Sequence, residues 1–452
     1  MATAPTAPAD GVRAGGNRAL VACTLAWFFD AWDTFLLVYV FTDIAKTFSV
    51  SLGTATLTLL FTYSTRWLGG MVFGHIAARY GRRRSLILAL AVAGLLTGAT
   101  GLAPTFAWLI VIRLAYGVGM GGVYAAGGPL ATESARRARR GLGSGFYMFG
   151  FYAGVTVAPF AYYLIEPALG WRVLFYVGAV SLVLIPYIVF FVPESPVWES
   201  SAGAARRDGA VHGAAGPAAP ARVRPWTLFG PSFIGITIAL IGIEAAGFLS
   251  GYPFLTMLPT FLKVQHGFAA SQIALAGTLG GLGNMAGALL GGWVSDWFGR
   301  RRTYVVTFTL TIIPVVAALA FAQPWIIYIG AMLTGAITGA QGGMITAFEN
   351  EHFPTELRAS GSGFIHNLGS LAGTGASVIS VFLRTSIGFP GAIGIFVVAG
   401  IVIGLISIRF TRETRGIWLG DVGPAGRGAV MPAAATPGPS PAGPAHPRSR
   451  NR

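Results

Sequence analysis

The sequence predicts an all-α integral membrane fold of twelve transmembrane helices, arranged as two pseudo-symmetric six-helix bundles. Three observations carry that expectation: too little charge for a water-facing surface, twelve apolar segments of spanning length, and one loop pattern that occurs twice. Of 452 residues, 54% are hydrophobic and only 10% charged, and the mean hydropathy is +0.65. Soluble domains carry roughly 25% charged residues. The deficit argues against a soluble enzyme, a disordered chain, a coiled coil and a collagen-like fibre. The 64 glycines follow no three-residue repeat. They are spread through apolar runs, which suits closely packed membrane helices.

A helix that crosses the hydrocarbon core needs about 20 mostly apolar residues, because its backbone polar groups must be satisfied within the segment. Such segments lie at 19–43, 53–77, 85–103, 107–131, 142–164 and 172–192 in the first half of the chain. In the second half they lie at 228–258, 270–295, 303–322, 325–347, 362–384 and 391–409. Pro104-Thr105-Phe106 predicts a tight turn between the third and fourth, and Gln323-Pro324 another between the ninth and tenth.

The formal net charge is +15, and its placement decides what it means. With both termini on the cytoplasmic side, 25 of the 31 Lys and Arg residues fall in cytoplasmic segments. Four lie on the outer side (Lys46, Arg172, Lys263 and Arg384), and Arg66 and Arg113 lie inside spans. This bias predicts a multi-pass plasma (inner) membrane protein with cytoplasmic termini, and it explains the basic chain without nucleic acid. Residues 1–18 are expected to be a cytoplasmic tail, with no removable signal peptide. Residues 19–192 and 228–410 form the two bundles, and the Ala/Gly/Pro-containing stretch 193–227 a flexible cytoplasmic linker. The Gly/Pro/Ala-rich tail 411–452 is expected to be disordered. A single cysteine, Cys23, excludes intrachain disulfides and multi-cysteine zinc sites. No metal or cofactor is expected.

The loop after the second span reads Gly74-His75-Ile76-Ala77-Ala78-Arg79-Tyr80-Gly81-Arg82-Arg83-Arg84. The loop after the eighth reads Gly292-Trp293-Val294-Ser295-Asp296-Trp297-Phe298-Gly299-Arg300-Arg301-Arg302. They align without gaps at an offset of 218 residues, an internal repeat of six spans. A basic loop obeying the positive-inside rule explains one copy; it explains two at equivalent positions poorly. The glycines permit close helix approach and a tight turn, and the arginines can bind helix carbonyls or acids.

This pattern resembles the GxxxDRxGRR loop signature of the major facilitator superfamily. The resemblance covers about 19–416. Arg113-Leu114-Ala115-Tyr116-Gly117, Pro193-Glu194-Ser195-Pro196, Glu351 to Arg358 and Arg412-Glu413-Thr414-Arg415-Gly416 agree with it. Asp30-Ala31-Trp32-Asp33, Thr65 to Gly70, and Gly119 to Tyr124 leading to Glu133 are similar to the sialate:proton and lactate-type carboxylate:proton symporters. The aromatic-acid:proton symporters are close behind. Two positions depart: Ala78 stands where the signature has Asp, and Val123 where the sialate group has Glu. The resemblance implies proton-coupled uptake of a small carboxylic acid by a monomer, with alternatives of the same fold in an aromatic-acid or sugar symporter or a drug or cation exporter.

Charge inside a bilayer is costly, about 2.5–3.5 kcal/mol on insertion scales, so intramembrane ionisable residues are functional candidates. They are Asp30, Asp33, Arg66, Arg113, Glu244 and His366. Asp30 and Asp33 share one helix face, and two nearby carboxylates resist ionising together. With Arg113 and Glu244 they are the proton-coupling candidates. Arg66 carries a planar fork suited to a carboxylate; its alternative role is an ion pair with Asp30 or Asp33. Asp33, Tyr63, Tyr124, Tyr152, Gln341, His366 and Asn367 complete the candidate substrate set. The gate candidates are Gly74, Arg79, Gly81, Arg82 and Arg83, with Gly292, Asp296, Gly299, Arg300 and Arg301. Lys46 and Lys263 follow Ala45 and Leu262, so no Gly-Lys-Ser/Thr phosphate loop exists and an ATP-driven pump is excluded. No HExxH and no evident Ser/His/Asp set supports an enzyme.

Overall fold

The computed structural model describes residues 15–202, 224–417 and 419. The expected tails before residue 15 and after 419, and linker residues 203–223, lie outside the described residues. The described chain is helical, without a strand. The first half contains α1 (Gly16–Tyr39), the short α2 (Phe41–Phe48), α3 (Leu52–Tyr80), α4 (Arg82–Gly101), α5 (Phe106–Ser134), α6 (Arg140–Leu169), α7 (Trp171–Gly178) and α8 (Leu184–Phe191). A 3-10 stretch, Ala179–Val183, joins α7 to α8 into one crossing. The second half contains α9 (Ile234–His266), α10 (Ala270–Phe298), α11 (Arg300–Ala320), α12 (Pro324–Asn350) and α13 (Thr355–Ser407). A break at Gly388 (φ 72°) divides α13 into two crossings.

Local chemistry accounts for the boundaries. Ser51 Oγ accepts the Thr54 N–H at the start of α3, and Thr105 Oγ1 accepts the Trp108 N–H at the start of α5. Pro324 opens α12, where its missing N–H costs nothing. Gly81 and Gly299 have φ of 107° and 101°, which only glycine adopts freely, so the chain reverses there within one residue.

Nine described helices are long and apolar enough to span, and α2 with α3 makes a tenth candidate. The helix α12 and the first part of α13 fall short because they turn polar side chains inward. Gln341, Thr346, Glu349 and Asn350 are buried on one, and Ser362, His366, Asn367 and Ser370 on the other. Protein, rather than lipid, satisfies these groups. Large apolar side chains such as Leu95, Phe190, Ile238, Ile313 and Phe382 stand instead on the outer surface, where lipid is their solvent. The two halves meet chiefly along α3 with α13 and α6 with α10.

Candidate functional site

Asp30 and Asp33 are about 300° apart around α1, so their side chains diverge by about 60° and reach different neighbours. Asp30 Oδ2 accepts from Arg66 Nη2 of α3 at 3.0 Å. Asp33 Oδ2 accepts from Arg113 Nη1 of α5 at 2.6 Å, and Arg113 Nη2 donates to Thr100 Oγ1 at 2.6 Å. The expected shared carboxylate site is therefore two separate ion pairs, each acid with its own guanidinium. Arg113 is wedged between the Tyr116 and Phe175 rings, 4.8 Å from each. Arg66 lies 5.3 Å from the Trp27 ring and 5.1 Å from the Tyr63 ring. Both arginines and both acids are buried. Arg66 Nε and Asp30 Oδ1 make no hydrogen bond among the described residues. A cavity of about 10 Å³ borders Asp30 between Phe29, Thr97, Tyr116 and Ser181. That is the scale of one water.

Across Trp27 lies a second polar group. His366 Nδ1 is 2.7 Å from Glu244 Oε1. Tyr124 stacks on the imidazole with centroids 3.7 Å apart and planes 9° from parallel. Its hydroxyl donates to Glu349 Oε2 at 2.9 Å and lies 3.2 Å from Thr346 Oγ1. Trp27 closes the box, with its ring 5.1 Å from Tyr124 and 5.5 Å from His366. Asn367 Nδ2 donates to Gly363 O at 2.6 Å and to Gly121 O, across the halves, at 3.3 Å. The sequence reading missed Glu349. Hydropathy ends the tenth segment at 347, whereas α12 runs to Asn350.

The structure thus gathers Arg66, Asp30, Tyr63, Tyr124, His366 and Glu244 around Trp27. Asp33 and Arg113 form their own pair. Gln341 is bonded within the second half, Nε2 donating to Thr311 Oγ1 at 3.1 Å and Oε1 accepting from Ser250 at 3.4 Å. Half-buried Tyr152 sets its hydroxyl against Gly342 on α12.

The end that carries the repeated loops is sealed by charge. Glu133 binds Arg82 of its own half at 3.2 Å and Arg358 of the other half at 2.6 Å. Glu351 binds Arg300 of its own half at 3.3 Å and Arg140 of the other at 3.4 Å. Asp296 accepts the Gly141 and Leu142 N–H groups at 2.8 and 3.0 Å and also binds Arg300 at 2.9 Å. Glu194 accepts the Arg83 N–H, and Glu413 the Arg300 and Arg301 N–H groups, so each loop helix starts on a carboxylate. Arg83 and Arg301 each reach a backbone carbonyl, Ile188 O and Ile408 O, at 3.2 Å. Arg79 is exposed over its neighbour Tyr80. Gly74 and Gly292 sit where the halves touch; a Cβ would collide with Ser360 at the first and Gly141 O at the second. Burial raises the Glu351 carboxyl, but Arg300 and Arg140 outweigh it and hold the group below its ordinary value. Burial raises Glu194, and its backbone hydrogen bonds offset only part of that.

A profile of the Major Facilitator Superfamily matches residues 23–268 and 240–430. The chain is 26% identical to the sialic acid transporter NanX of Escherichia coli (strain K12), over 87% of this chain and 94% of that protein. It is 27% identical to the cis,cis-muconate transport protein of Acinetobacter baylyi (strain ATCC 33305 / BD413 / ADP1), over 86% and 92%. Among solved structures, the proton:xylose symporter XylE bound to 6-bromo-6-deoxy-D-glucose superposes with a TM-score of 0.70 at 18% identity, covering 89% of this chain and 97% of that one. The human organic anion transporter MFSD10 gives 0.66 at 15%, covering 87% and 99%. These structures share the fold. A multi-pass membrane transporter rather than an enzyme, this chain belongs to the Major Facilitator Superfamily.

Proposed function

We propose that the protein takes up a small carboxylic acid together with protons, by alternating access of its two halves. The observation that carries this reading is the Arg66–Asp30 pair: a buried guanidinium bound to its acid through one nitrogen, with Nε left to donate. A protonated Asp30 would release Arg66 to a substrate carboxylate, and loss of that proton would reclaim it. Proton and substrate are then linked through one cation. The relatives named for sialic acid and cis,cis-muconate are named for acids. The bias of Lys and Arg assigns the sealed loop end, both tails and the 193–227 linker to the cytoplasm of an inner-membrane protein. The protein works as a monomer, and the described arrangement is the member of its cycle that is closed at the loop end.

The aromatic walls favour a second reading within the same class. Trp27, Tyr63, Tyr124 and Tyr147 surround the charged centre, so a planar or aromatic acid would stack where an aliphatic one would only fill space. Uptake into proteoliposomes under an imposed pH gradient decides, with lactate, sialate, benzoate, a sugar and a cationic dye as probes. Acid accumulation driven by the gradient is expected, and Arg66→Ala should abolish it while the protein still reaches the membrane. Accumulation of the sugar or the dye alone would overturn the reading.

A further inference from the structure

Buried acids need partners, since an unpaired buried charge costs several kcal/mol, about 3–5 when one member of a pair is removed. Among the described residues Asp30, Asp33, Glu133 and Glu351 each hold an arginine. Glu244 and Glu349 hold none. Glu244 has His366 at 2.7 Å; Glu349 Oε2 accepts from the Tyr124 hydroxyl at 2.9 Å, and its buried Oε1 has no hydrogen-bond partner among the described residues. Burial without a counter-charge disfavours the charged form of a carboxyl, and both glutamates are buried. No described group of three His, Cys, Asp or Glu residues could hold a metal ion in its place.

Among the described residues the surroundings supply no permanent charge to substitute. Tyr124 faces the group from α5, its ring on His366 and its hydroxyl on Glu349, and the other titratable side chains nearby are Tyr147 and Tyr152 of α6 and Tyr304 of α11. The nearby cation is Arg66, which stands beyond Trp27 and is bound to Asp30. Two carboxylates with an imidazolium would leave one net negative charge; one further proton makes the group neutral.

We infer that Glu244, His366 and Glu349 form a second proton-binding site, separate from the Arg66–Asp30 pair and tied across the halves by Tyr124. Tyr124 is the first-half member: its ring lies on His366 and its hydroxyl bonds Glu349, so parting the halves changes the site's hydrogen bonding. The inference deepens the proton-coupled reading and rests on it only for the use made of the proton.

Infrared spectroscopy of the purified full-length protein tests it without any substrate. At neutral pH the wild type should show a protonated-carboxyl C=O stretch that moves on 13C-glutamate labelling and stays put on 13C-aspartate labelling. Glu349→Gln should remove that glutamate band, Glu244→Gln should shift it by removing the neighbouring acid, and Glu194→Gln should leave it. Tyr124→Phe keeps the ring and should shift the band through the lost hydrogen bond. No glutamate-labelled band in the wild type, or one that survives Glu349→Gln or is unmoved by Glu244→Gln, would overturn the site; an unshifted band in Tyr124→Phe would overturn the tie across the halves. The wild-type labelling arm needs no variant to fold. Failed acid uptake would leave the band in place, so the two readings fail separately.

Discussion

Glu133 of the first half binds Arg358 of the second at 2.6 Å, and the pair has a counterpart in Glu351 and Arg140 at 3.4 Å. All four positions are related by the 218-residue offset of the loop repeat. Each acid is therefore held by one arginine of its own half and one of the other, and the loop end is locked by two related clusters. Glu133→Gln leaves Arg82 and Arg358 without a buried counter-charge, at a cost of about 3–5 kcal/mol. That cost falls on the sealed arrangement. Spin labels on the loop ends of α3 and α10 should move apart in this variant, measured by pulsed dipolar spectroscopy. An unchanged distance distribution would remove the cluster from the gate.

Asp296 caps the α6 start at Gly141 and Leu142, whereas the matching position in the first half is Ala78. The loss has a structural counterpart. The residues equivalent to Gly141 and Leu142 are Ala359 and Ser360, and they lie a turn inside α13, which begins at Thr355. The first N–H groups there are served differently, Leu357 and Arg358 both donating to Pro354 O. The Ala359 and Ser360 N–H groups lie inside the helix ladder and need no carboxylate at 78. Asp296→Ala should cost at least a cap's worth, about 0.5–2 kcal/mol, and Ala78→Asp should return none of it. Melting temperatures in detergent check both; a gain from Ala78→Asp would refute the account.

His352 lies just past α12 with Nδ1 2.7 Å from Phe348 O. Burial holds its imidazole down, at about 4 against the ordinary 6.5, and the Phe348 carbonyl offsets only part of that. The folded protein keeps it neutral where the unfolded chain takes a proton. Stability is thus full above about 6.5 and falls as pH drops toward about 4, by on the order of 3 kcal/mol. His352→Gln should flatten that part of the melting temperature against pH. Equal slopes for both proteins would show that another group carries the loss.

Much of the architecture is legible from composition, because lipid leaves few solutions for a chain this apolar. The repeated Gly-Arg loops are visible because both copies must turn within one residue and present the same arginines. Pairings across the halves are not visible. Arg358 and Arg140 read as ordinary positive-inside residues until packing sets each beside the other half's acid. Glu349 is hidden for a related reason: a hydropathy window ends where polar residues start, and here they turn into the protein rather than into water. The three-residue spacing of Asp30 and Asp33 predicts a shared face; it does not say which arginine meets which acid, since that depends on how α3 and α5 flank α1.

The Asp33–Arg113 contact separates a structural ion pair from a proton carrier. The 2.6 Å bond, the Thr100 hydroxyl and the flanking Tyr116 and Phe175 rings commit both side chains. Asp33→Asn leaves Arg113 charged and buried, and the protein should lose about 3–5 kcal/mol. Replacing both partners by apolar residues of similar volume removes the uncompensated charge. The double variant Asp33→Leu with Arg113→Met should therefore melt closer to the wild type than Asp33→Asn does. Melting curves of the three proteins in one detergent decide the matter. If Asp33→Asn melts with the wild type and loses only the pH dependence of uptake, Asp33 belongs to the proton path and the pair is not a brace.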